Sequence, residues 1–383
     1  MDCQQVVDAL RGVIDGDNFV PLHEPVFAGN EWDYVKECLD TGWVSSVGSY
    51  VDRFEEMLAE FVGVKRAVAV VNGTAALHVC LQLCGVGRDD EVLMPGLTFI
   101  ATANAVSYLG AIPHFVIREV RTLGVDPARL EQYLSSIAEV RDGFCINRET
   151  GRVIRAVVPM HTFGHPVDLD PLAELCDRFC LQMIEDTAES LGSYYKRRHT
   201  GNWGRMSALS FNGNKIMTTG GGGAILTNDE ELGMLAKHIT TTAKVPHRWE
   251  FEHDMVGYNY RMPNLNAALG CAQIEQLPGF LVKKRKLAER YRQAFAEVPG
   301  VRFVEEPDFA NSNFWLNSLK LEGEAVDQRD ELLAATNDAG IMTRPIWKLM
   351  PELKMFANCP SMDLAVARDL ERRILNIPSS ASL

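Results

Sequence analysis

Lys215 is the residue in this sequence whose surroundings point most directly to chemistry. It follows a short apolar segment and precedes a run of four glycines at 220–223. A lysine amine forms imines with carbonyl compounds, and it loses its proton more easily when partly buried. Glycines let a backbone turn sharply and let a bulky ligand approach closely. Because most lysines are simply exposed to solvent, further residues are needed to define a site.

A strand-to-helix turn at Gly73 and Thr74 is a candidate binding site for phosphate. It follows the β-type run 66–71 and opens a helix predicted over 75–84. Free backbone N–H groups and the helix dipole favour an anion there, with the threonine hydroxyl as an extra donor. The simpler alternative is that Thr74 only caps the helix. Ser210, five residues before the lysine, could supply another phosphate donor.

A carboxylate and an aromatic ring could complete a site for a flat heterocycle. Asp186 follows the apolar strand predicted at 181–184, and a side chain at the C-terminal end of such a strand faces the ligand crevice of an α/β sheet. It could pair with a protonated pyridine nitrogen, which keeps the ring an electron sink, or it could merely start a helix. Phe99 follows the strand predicted at 92–94 and could stack on the ring or belong to the core.

The order of these features along the chain is informative. A phosphate turn, an aromatic ring, a carboxylate at a strand end, a serine, a lysine and glycines follow one another in fold-type I pyridoxal-phosphate enzymes. We therefore expect Lys215 to hold pyridoxal 5'-phosphate. A nicotinamide-dependent oxidoreductase is disfavoured, because no G-x-G-x-x-G follows a strand and opens a helix.

The composition excludes several classes of protein. The 383 residues are 46% hydrophobic and 23% charged, enough for a large core and a second, smaller domain. A net charge of -13 argues against a nucleic-acid partner. No apolar run is long enough to cross a bilayer, and the first residues do not resemble a signal peptide. Nine cysteines are expected as reduced apolar residues rather than a zinc site, which indicates a cytoplasmic protein.

Short apolar strands alternate with helices from residue 66 onward, which predicts a mostly parallel sheet covered on both faces. The predicted organisation is an N-terminal arm with a short helix at 1–20, a large domain at 21–277 and a small domain at 278–383. Separate helices are predicted near 257–276 and at 281–295. Further strands are predicted at 112–117, 153–159, 181–185, 207–211 and 224–227, and further helices near 126–137, 168–179 and 228–239.

The chain resembles the DegT/StrS (DegT/DnrJ/EryC) family of sugar-nucleotide aminotransferases from about residue 21 to 378. The segments that carry the resemblance are 72–78, 98–104, 161–164, 185–192, 210–215 and 257–262. The resemblance implies an α/β, fold-type I architecture, with a mostly parallel sandwiched sheet in the large domain and a smaller α+β C-terminal domain. It also implies a homodimer with shared active sites.

The resemblance also implies roles for individual residues. Lys215 resembles the lysine that binds the cofactor covalently, Asp186 the partner of the pyridine nitrogen, and Asn259 a residue that reaches the phosphate from the neighbouring subunit. The cofactor contacts carried over are Gly73, Thr74, Phe99, Asp186, Ala188, Glu189, Ser210, Lys215 and Asn259. Two positions depart from the family pattern. Glu189 stands where glutamine or histidine is frequent, and Ile117-Arg118 stands where an aspartate commonly follows Phe-Val.

The implied activity is transfer of an amino group from L-glutamate to C4 of a 4-keto-6-deoxy nucleotide sugar, with pyridoxamine phosphate as the second cofactor form. Segments 21–25, 42–48 and 343–348 resemble the branch acting on UDP-2-acetamido-2,6-dideoxy-4-hexulose, toward bacillosamine or legionaminic acid; GDP- or dTDP-linked and 3-keto sugars stay open. The expected substrate contacts are Trp43, Ser45, Arg344 and Lys348, with Lys244 and Arg248 as further candidates for the diphosphate.

Two rival functions use the same fold. A related sugar dehydratase branch carries histidine in place of the lysine, so Lys215 argues against it. A non-catalytic sensor of the cofactor or of a sugar would need a damaged site, and each position carried over from the family is present. Incubation with glutamate alone discriminates, because only a transaminase forms 2-oxoglutarate.

Overall fold

A nine-stranded sheet lies at the centre of the larger part of the molecule. The computed structural model describes residues 1–14 and 18–383. The α-helices of these residues are α1 (Cys3–Val13), α2 (Glu31–Thr41), α3 (Ser49–Val62), α4 (Gly73–Leu83), α5 (Ile100–Tyr108), α6 (Pro127–Ile137), α7 (Leu169–Phe179), α8 (Glu230–Thr240), α9 (Asn264–Ala294), α10 (Arg329–Asp338) and α11 (Ala365–Arg373). Short 3-10 helices span Thr162–Gly164, Gly323–Gln328 and Met350–Glu352.

The strands of the described residues form three sheets. They are β1 (Arg66–Val70), β2 (Glu91–Pro95), β3 (Ile112–Val116), β4 (Ala138–Arg141), β5 (Phe144–Asn147), β6 (Val153–Val157), β7 (Gln182–Asp186), β8 (Tyr194–Tyr195), β9 (Arg198–His199), β10 (Met206–Ser210), β11 (Gly223–Thr227), β12 (Val301–Phe303), β13 (Ala310–Asn311), β14 (Asn317–Leu321), β15 (Arg344–Pro345) and β16 (Ile374–Ile377).

The central sheet has the order β1-β11-β10-β7-β6-β2-β3. Strands β10, β7, β6, β2 and β3 pair in parallel, and β11 is antiparallel to both of its neighbours. Alternate side chains of β2 enter different cores. Val92 and Met94 pack with helices such as α4 and α5, whereas Leu93 packs with α6 and α7. The predicted mostly parallel sheet, covered on both faces, is therefore confirmed.

A hairpin, β4–β5, extends this sheet at β6 and was not predicted. Arg141 faces Phe144 across a two-residue turn. Both turn residues have positive φ, 53° at Asp142 and 79° at Gly143, as a tight hairpin requires. The Asp-Gly pair was a readable turn signal in the sequence.

The C-terminal part forms an antiparallel sheet of order β12-β14-β16-β15. Its core includes the buried face of α1, namely Val6, Val7 and Leu10. The predicted short N-terminal helix is thus present, and we propose to group it with the small domain. The rest of the predicted arm includes 15–17, which lie outside the described residues.

The two helices predicted around residue 278 are one continuous helix, α9, so this prediction was wrong. Pro278 lies inside it and removes one backbone donor without ending the helix. The N-terminal half buries residues such as Cys271 in the large core, whereas the C-terminal half buries Tyr291 in the small core. Packing at both ends maintains the helix across the proline. The predicted domain boundary at 277/278 therefore falls within one element.

Within residues 1–14 and 18–383, no helix is long and apolar enough to span a membrane. All nine cysteines are free thiols. The same residues contain no group of three or more His, Cys, Asp or Glu side chains that could hold a metal ion.

Candidate active site

A cavity of about 380 Å³ lies where the C-terminal ends of β7 and β10 meet the N-terminus of α4. Most of the predicted cofactor contacts line it, and they come from segments distant in sequence. These residues are Gly73, Thr74, Phe99, Asp186, Ala188, Glu189, Ser210 and Lys215. Asn259 does not line the cavity of its own chain; it is exposed. The sheet thus brings together the groups that the sequence analysis selected.

One end of the cavity has donors suited to a phosphate. The Asn72 side chain caps α4 by accepting from the Ala75 N–H at 2.8 Å. The alternative that Thr74 is the helix cap is therefore wrong, and Thr74 lines the cavity instead. Ser210 lies against this turn, because a Cβ on Gly73 would be 2.9 Å from the serine Cβ. A helix N-terminus and two hydroxyl groups converge there.

The glycine run permits this close packing. Gly223 begins β11 and pairs with Val70 on one side and Ser210 on the other. A Cβ at Gly223 would lie 2.5 Å from the carbonyl carbon of Asn72, closer than real Cβ atoms approach. Gly221 differs, since a Cβ there would meet nothing within 4 Å. The two positions have separable effects.

Gly223→Ala is expected to destabilise the protein by about 1–3 kcal/mol, because the new methyl group forces the phosphate turn away from β11. The expected measurement is a lower midpoint of thermal unfolding, together with weaker binding of pyridoxal phosphate in a fluorescence titration. Gly221→Ala is the matched control and should keep the parental midpoint. Equal midpoints for both variants would show that the turn yields without cost.

Asp186 lies at the end of β7 and is held from two sides. Thr102 donates its hydroxyl to Oδ2 at 2.7 Å, and the Ala188 N–H donates to Oδ1 at 3.2 Å. Burial raises the pKa of Asp186, while the Thr102 bond, the Ala188 amide and Lys215 oppose the rise. A bound pyridinium would supply the missing counter-charge. Sequence reasoning missed Thr102, although it lies in the first turn of α5, whose N-cap residue is Phe99.

Lys215 projects into the cavity between a carboxylate and an indole ring. Its Nζ is 3.4 Å from Oε1 of Glu189 and 3.9 Å from the centroid of the Trp315 ring. The Trp315 indole donates to the Asn214 carbonyl at 2.7 Å, and Lys284, fully buried on α9, donates to the Trp315 carbonyl at 3.1 Å. Trp315 lies between β13 and β14, 100 residues beyond the lysine, so no local pattern near the lysine predicted it.

Glu189 is buried beside the lysine. The Phe163 N–H donates to its Oε2 at 2.9 Å, and Phe163 itself has a φ of 56°, which is uncommon for a bulky residue. This strained turn aims the amide at the carboxylate. Burial raises the pKa of Glu189 to about 7, and Lys215 opposes the rise.

The predicted substrate contacts lie elsewhere in the single chain. Trp43, Ser45, Arg344 and Lys348 are exposed and do not line the cavity. Trp43 borders a separate depression, where its carbonyl accepts from the Asn264 side chain at 2.7 Å. The Nζ of Lys348 lies 3.7 Å from Oε1 of Glu371. The neighbouring Trp347 lines the cavity instead.

The two further cations proposed for the diphosphate rest on aromatic rings of their own segment. Lys244 Nζ is 3.9 Å from the Phe251 ring centroid, and the Arg248 guanidinium is 5.5 Å from that of Trp249. Neither residue lines the cavity. Any role with substrate would therefore require this segment to meet another chain or to move.

The residues present fit pyridoxal phosphate. The turn at Gly73 offers donors for the phosphate, Asp186 has an acceptor for the pyridine nitrogen, Phe99 is about half exposed for stacking, and Lys215 has an amine for the aldehyde. The fold and this site define a fold-type I, pyridoxal-phosphate-dependent aminotransferase.

Comparison with known proteins gives the family. The profile of the DegT/DnrJ/EryC1/StrS aminotransferase family matches residues 26–383. GDP-perosamine synthases of Caulobacter vibrioides and Escherichia coli O157:H7 are 37% and 36% identical to this chain. Each alignment covers 95% of this chain and 94% of the relative. The crystal structure of the aminotransferase TlmJ from Streptoalloteichus hindustanus is 26% identical, has a TM-score of 0.85 and covers 96% of this chain and 95% of its own. This chain belongs to the DegT/DnrJ/EryC1/StrS family, whose members are pyridoxal-phosphate-dependent aminotransferases acting on nucleotide sugars.

Proposed function

We propose that the protein transfers the amino group of L-glutamate to C4 of a 4-keto-6-deoxy nucleotide sugar, for bacterial surface glycan synthesis. The observation that carries this proposal is that Lys215 lines the same cavity as Asp186 and the phosphate turn. Bound pyridoxal phosphate supplies an electron sink and carries the amino group from one substrate to the other. The lysine also separates this function from the dehydratase alternative, in which histidine stands there.

The chain's own groups have distinct tasks in this reaction. Lys215 Nζ accepts the proton from the α-carbon of glutamate and, in the second half-reaction, delivers a proton to C4 of the sugar. Asp186 stays ionised as the acceptor for the pyridine N–H, with Thr102 orienting it. Phe99 covers one face of the bound ring. The Trp315 ring limits the movement of the Lys215 amine and excludes water from the side of the amine that the ring covers.

The nucleotide of the substrate is proposed to be guanosine diphosphate. Two relatives named GDP-perosamine synthase match nearly the whole chain, which supports a GDP-linked sugar. The segments 21–25, 42–48 and 343–348 instead support UDP-2-acetamido-2,6-dideoxy-4-hexulose of the bacillosamine and legionaminic acid branch. Similarity along the full length outweighs similarity in three short segments, so the UDP-linked sugar is the second candidate.

A two-stage assay tests this function. The purified holoenzyme is first mixed with L-glutamate alone and is expected to form 2-oxoglutarate and the pyridoxamine phosphate form, seen as a loss of visible absorbance. The pyridoxamine phosphate form is then mixed with GDP-, UDP- and dTDP-linked 4-keto-6-deoxy sugars, with a 3-keto sugar as the matched control. The GDP sugar should give the highest kcat/KM, and NMR of the product gives the position and configuration of the amine.

Each stage can contradict a different part of the proposal. Failure to form 2-oxoglutarate would favour a sensor over a transaminase. A normal first stage followed by preference for the UDP-linked 2-acetamido sugar would restore the second candidate. Amination of the 3-keto sugar alone would refute the position proposed for the new amine.

We further propose a cytoplasmic homodimer with shared active sites. Asn259 is exposed and lies outside its own cavity, as a residue contributed to a second subunit should be. The preceding segment exposes large apolar side chains, with Trp249, Phe251 and Val256 at 68%, 80% and 85% of their accessible area. Apolar groups clustered in this way favour a protein interface. A light-scattering mass equal to that of one chain, 42.6 kDa, would contradict the homodimer.

A further inference from the structure

A buried cation lies behind the carboxylate that contacts Lys215. Arg118 follows β3 and is fully buried. Its Nη2 donates to Oγ1 of Thr162 at 2.9 Å. Nε and Nη1 are also buried and find no hydrogen-bond partner among residues 1–14 and 18–383. A buried guanidinium with one bond out of five possible is costly unless a negative charge stands near it.

Glu189 is the carboxylate that provides this charge. The Thr162 hydroxyl that accepts from Arg118 belongs to the residue before Phe163, whose N–H bonds Glu189 at 2.9 Å. Arg118 and Glu189 therefore bond adjacent residues: Arg118 donates to the Thr162 hydroxyl, and Glu189 accepts from the Phe163 N–H. Burial lowers the pKa of Arg118 to about 9, and Glu189 opposes that fall. The guanidinium stays charged at neutral pH.

The charged groups around Glu189 consequently balance one another. Glu189 faces Lys215 directly and Asp186 and Arg118 at longer range. Two carboxylates thus stand with two cations. The Asn313 side chain donates to the Glu189 backbone carbonyl at 2.9 Å and fixes the segment that carries the carboxylate. Glu189 cannot turn away from the lysine without breaking these contacts.

We propose that Glu189 exchanges a proton with Lys215, and that Arg118 is the positioning residue that sets the pH at which Glu189 accepts it. The proton on Nζ moves to Oε1, leaving a neutral amine and a carboxylic acid, and it returns by the reverse path. The neutral amine has the free electron pair needed to attack a carbonyl carbon. Arg118 limits premature protonation of Glu189, because its positive charge favours the carboxylate.

The first test uses the cofactor-free protein and needs no turnover. Glu189 has its ordinary pKa, near 4.5, in the unfolded chain and a value of about 7 in the folded chain. Between these values the folded state holds a proton that the unfolded state lacks, so the free energy of unfolding falls as pH rises from about 4.5 to 7. In Glu189→Gln this fall is expected to diminish, leaving the share from groups such as Asp186. A profile that superimposes on the parent would overturn the proposal.

The second test isolates Arg118. Arg118→Met removes the positive charge, so the fall in unfolding free energy should extend to higher pH than in the parent, whereas in Arg118→Lys the midpoint of this fall should stay closer to the parental pH. If Arg118→Met does not fold at pH 8, the double variant Arg118→Met/Glu189→Gln should recover folding, because both charges are then absent. The coupling between Arg118 and Glu189 would be overturned by either of two results. One is a fall in unfolding free energy with the same midpoint pH in Arg118→Met as in the parent. The other is additive effects of the two substitutions on the unfolding free energy.

The importance of this proton exchange for catalysis rests on the proposed function, and a third measurement addresses it separately. In the holoenzyme, the pH at which the visible absorbance of the bound cofactor changes should move in Glu189→Gln and in Arg118→Met. An inactive protein with these shifts would refute the proposed function and keep the charge coupling. An active protein without these shifts would keep the proposed function and refute the charge coupling.

Discussion

Lys215→Ala is expected to abolish turnover, with a loss of at least about 10⁴-fold in kcat/KM. General acid–base catalysis alone accounts for 10²- to 10⁴-fold, and the same amine also binds the cofactor covalently. The side chain is the amine that lines the cavity between Asp186 and the phosphate turn. The variant should also lack the visible absorbance of the parent holoenzyme. Steady-state kinetics and absorption spectra of the purified proteins check both effects.

Lys215→Arg is the matched control for this variant. It keeps a positive charge near Glu189 and above the Trp315 ring, so thermal stability should stay close to that of the parent. A guanidinium does not lose its proton in proteins, so activity should still be absent. Colour and activity in either variant would remove Lys215 from its proposed role.

Asp186→Asn is expected to lower kcat/KM by roughly 10- to 150-fold. The substitution removes the charge-assisted hydrogen bond to the pyridine nitrogen, and such a bond contributes about 1.5–3 kcal/mol. The amide oxygen can still accept from Thr102, which now bonds Oδ2 at 2.7 Å, so the fold should be retained. The cofactor should bind more weakly as well, and its dissociation constant can be followed by fluorescence.

Thr102→Val is the companion variant, because it keeps the carboxylate and removes one donor to it. The Ala188 N–H still bonds Oδ1, so the loss should be smaller than for Asp186→Asn. Equal activity of Asp186→Asn and the parent would contradict the pairing proposed for the pyridine nitrogen. A larger loss in Thr102→Val than in Asp186→Asn would show that orientation outweighs charge.

The sheet and much of the cavity could be predicted because their determinants are local. Apolar strands such as β7 end in a polar residue, and the parallel arrangement then places those ends side by side. This pattern predicted Asp186, whereas Lys215 was predicted from its place before the glycine run and Ser210 from its place five residues before the lysine. The family resemblance added Ala188 and Glu189, which line the same cavity.

The remaining features depend on long-range contacts that local patterns do not encode. Trp315 reaches Lys215 from the segment between β13 and β14. Helix α9 continues across Pro278 because each half packs in a different core. Arg118 stood out in the sequence only as an unexpected residue type. Its partner became visible when the fold placed Thr162 between it and Glu189.

The predicted substrate contacts illustrate the same limit. Trp43 and Arg344 were chosen for their segments, yet both are exposed and outside the cavity of one chain. In the proposed homodimer a second subunit would complete the cavity, and contacts between two chains are not encoded in local sequence patterns. Trp347, in one of these segments, reaches the cavity by packing on Phe163, with ring centroids 5.1 Å apart.

The packing of α1 has a consequence for synthesis of the protein. Its apolar face contacts residues near the other end of the chain, and the Met1 amino group bonds Gln328, 327 positions away. At about 5–20 residues per second, the ribosome needs roughly 15 to 65 seconds to make that partner. Until the C-terminal part of the chain is made, the core that covers the stripe formed by Val6, Leu10 and Val13 is incomplete. Burial of α1 therefore waits for residues more than 250 positions further along the chain.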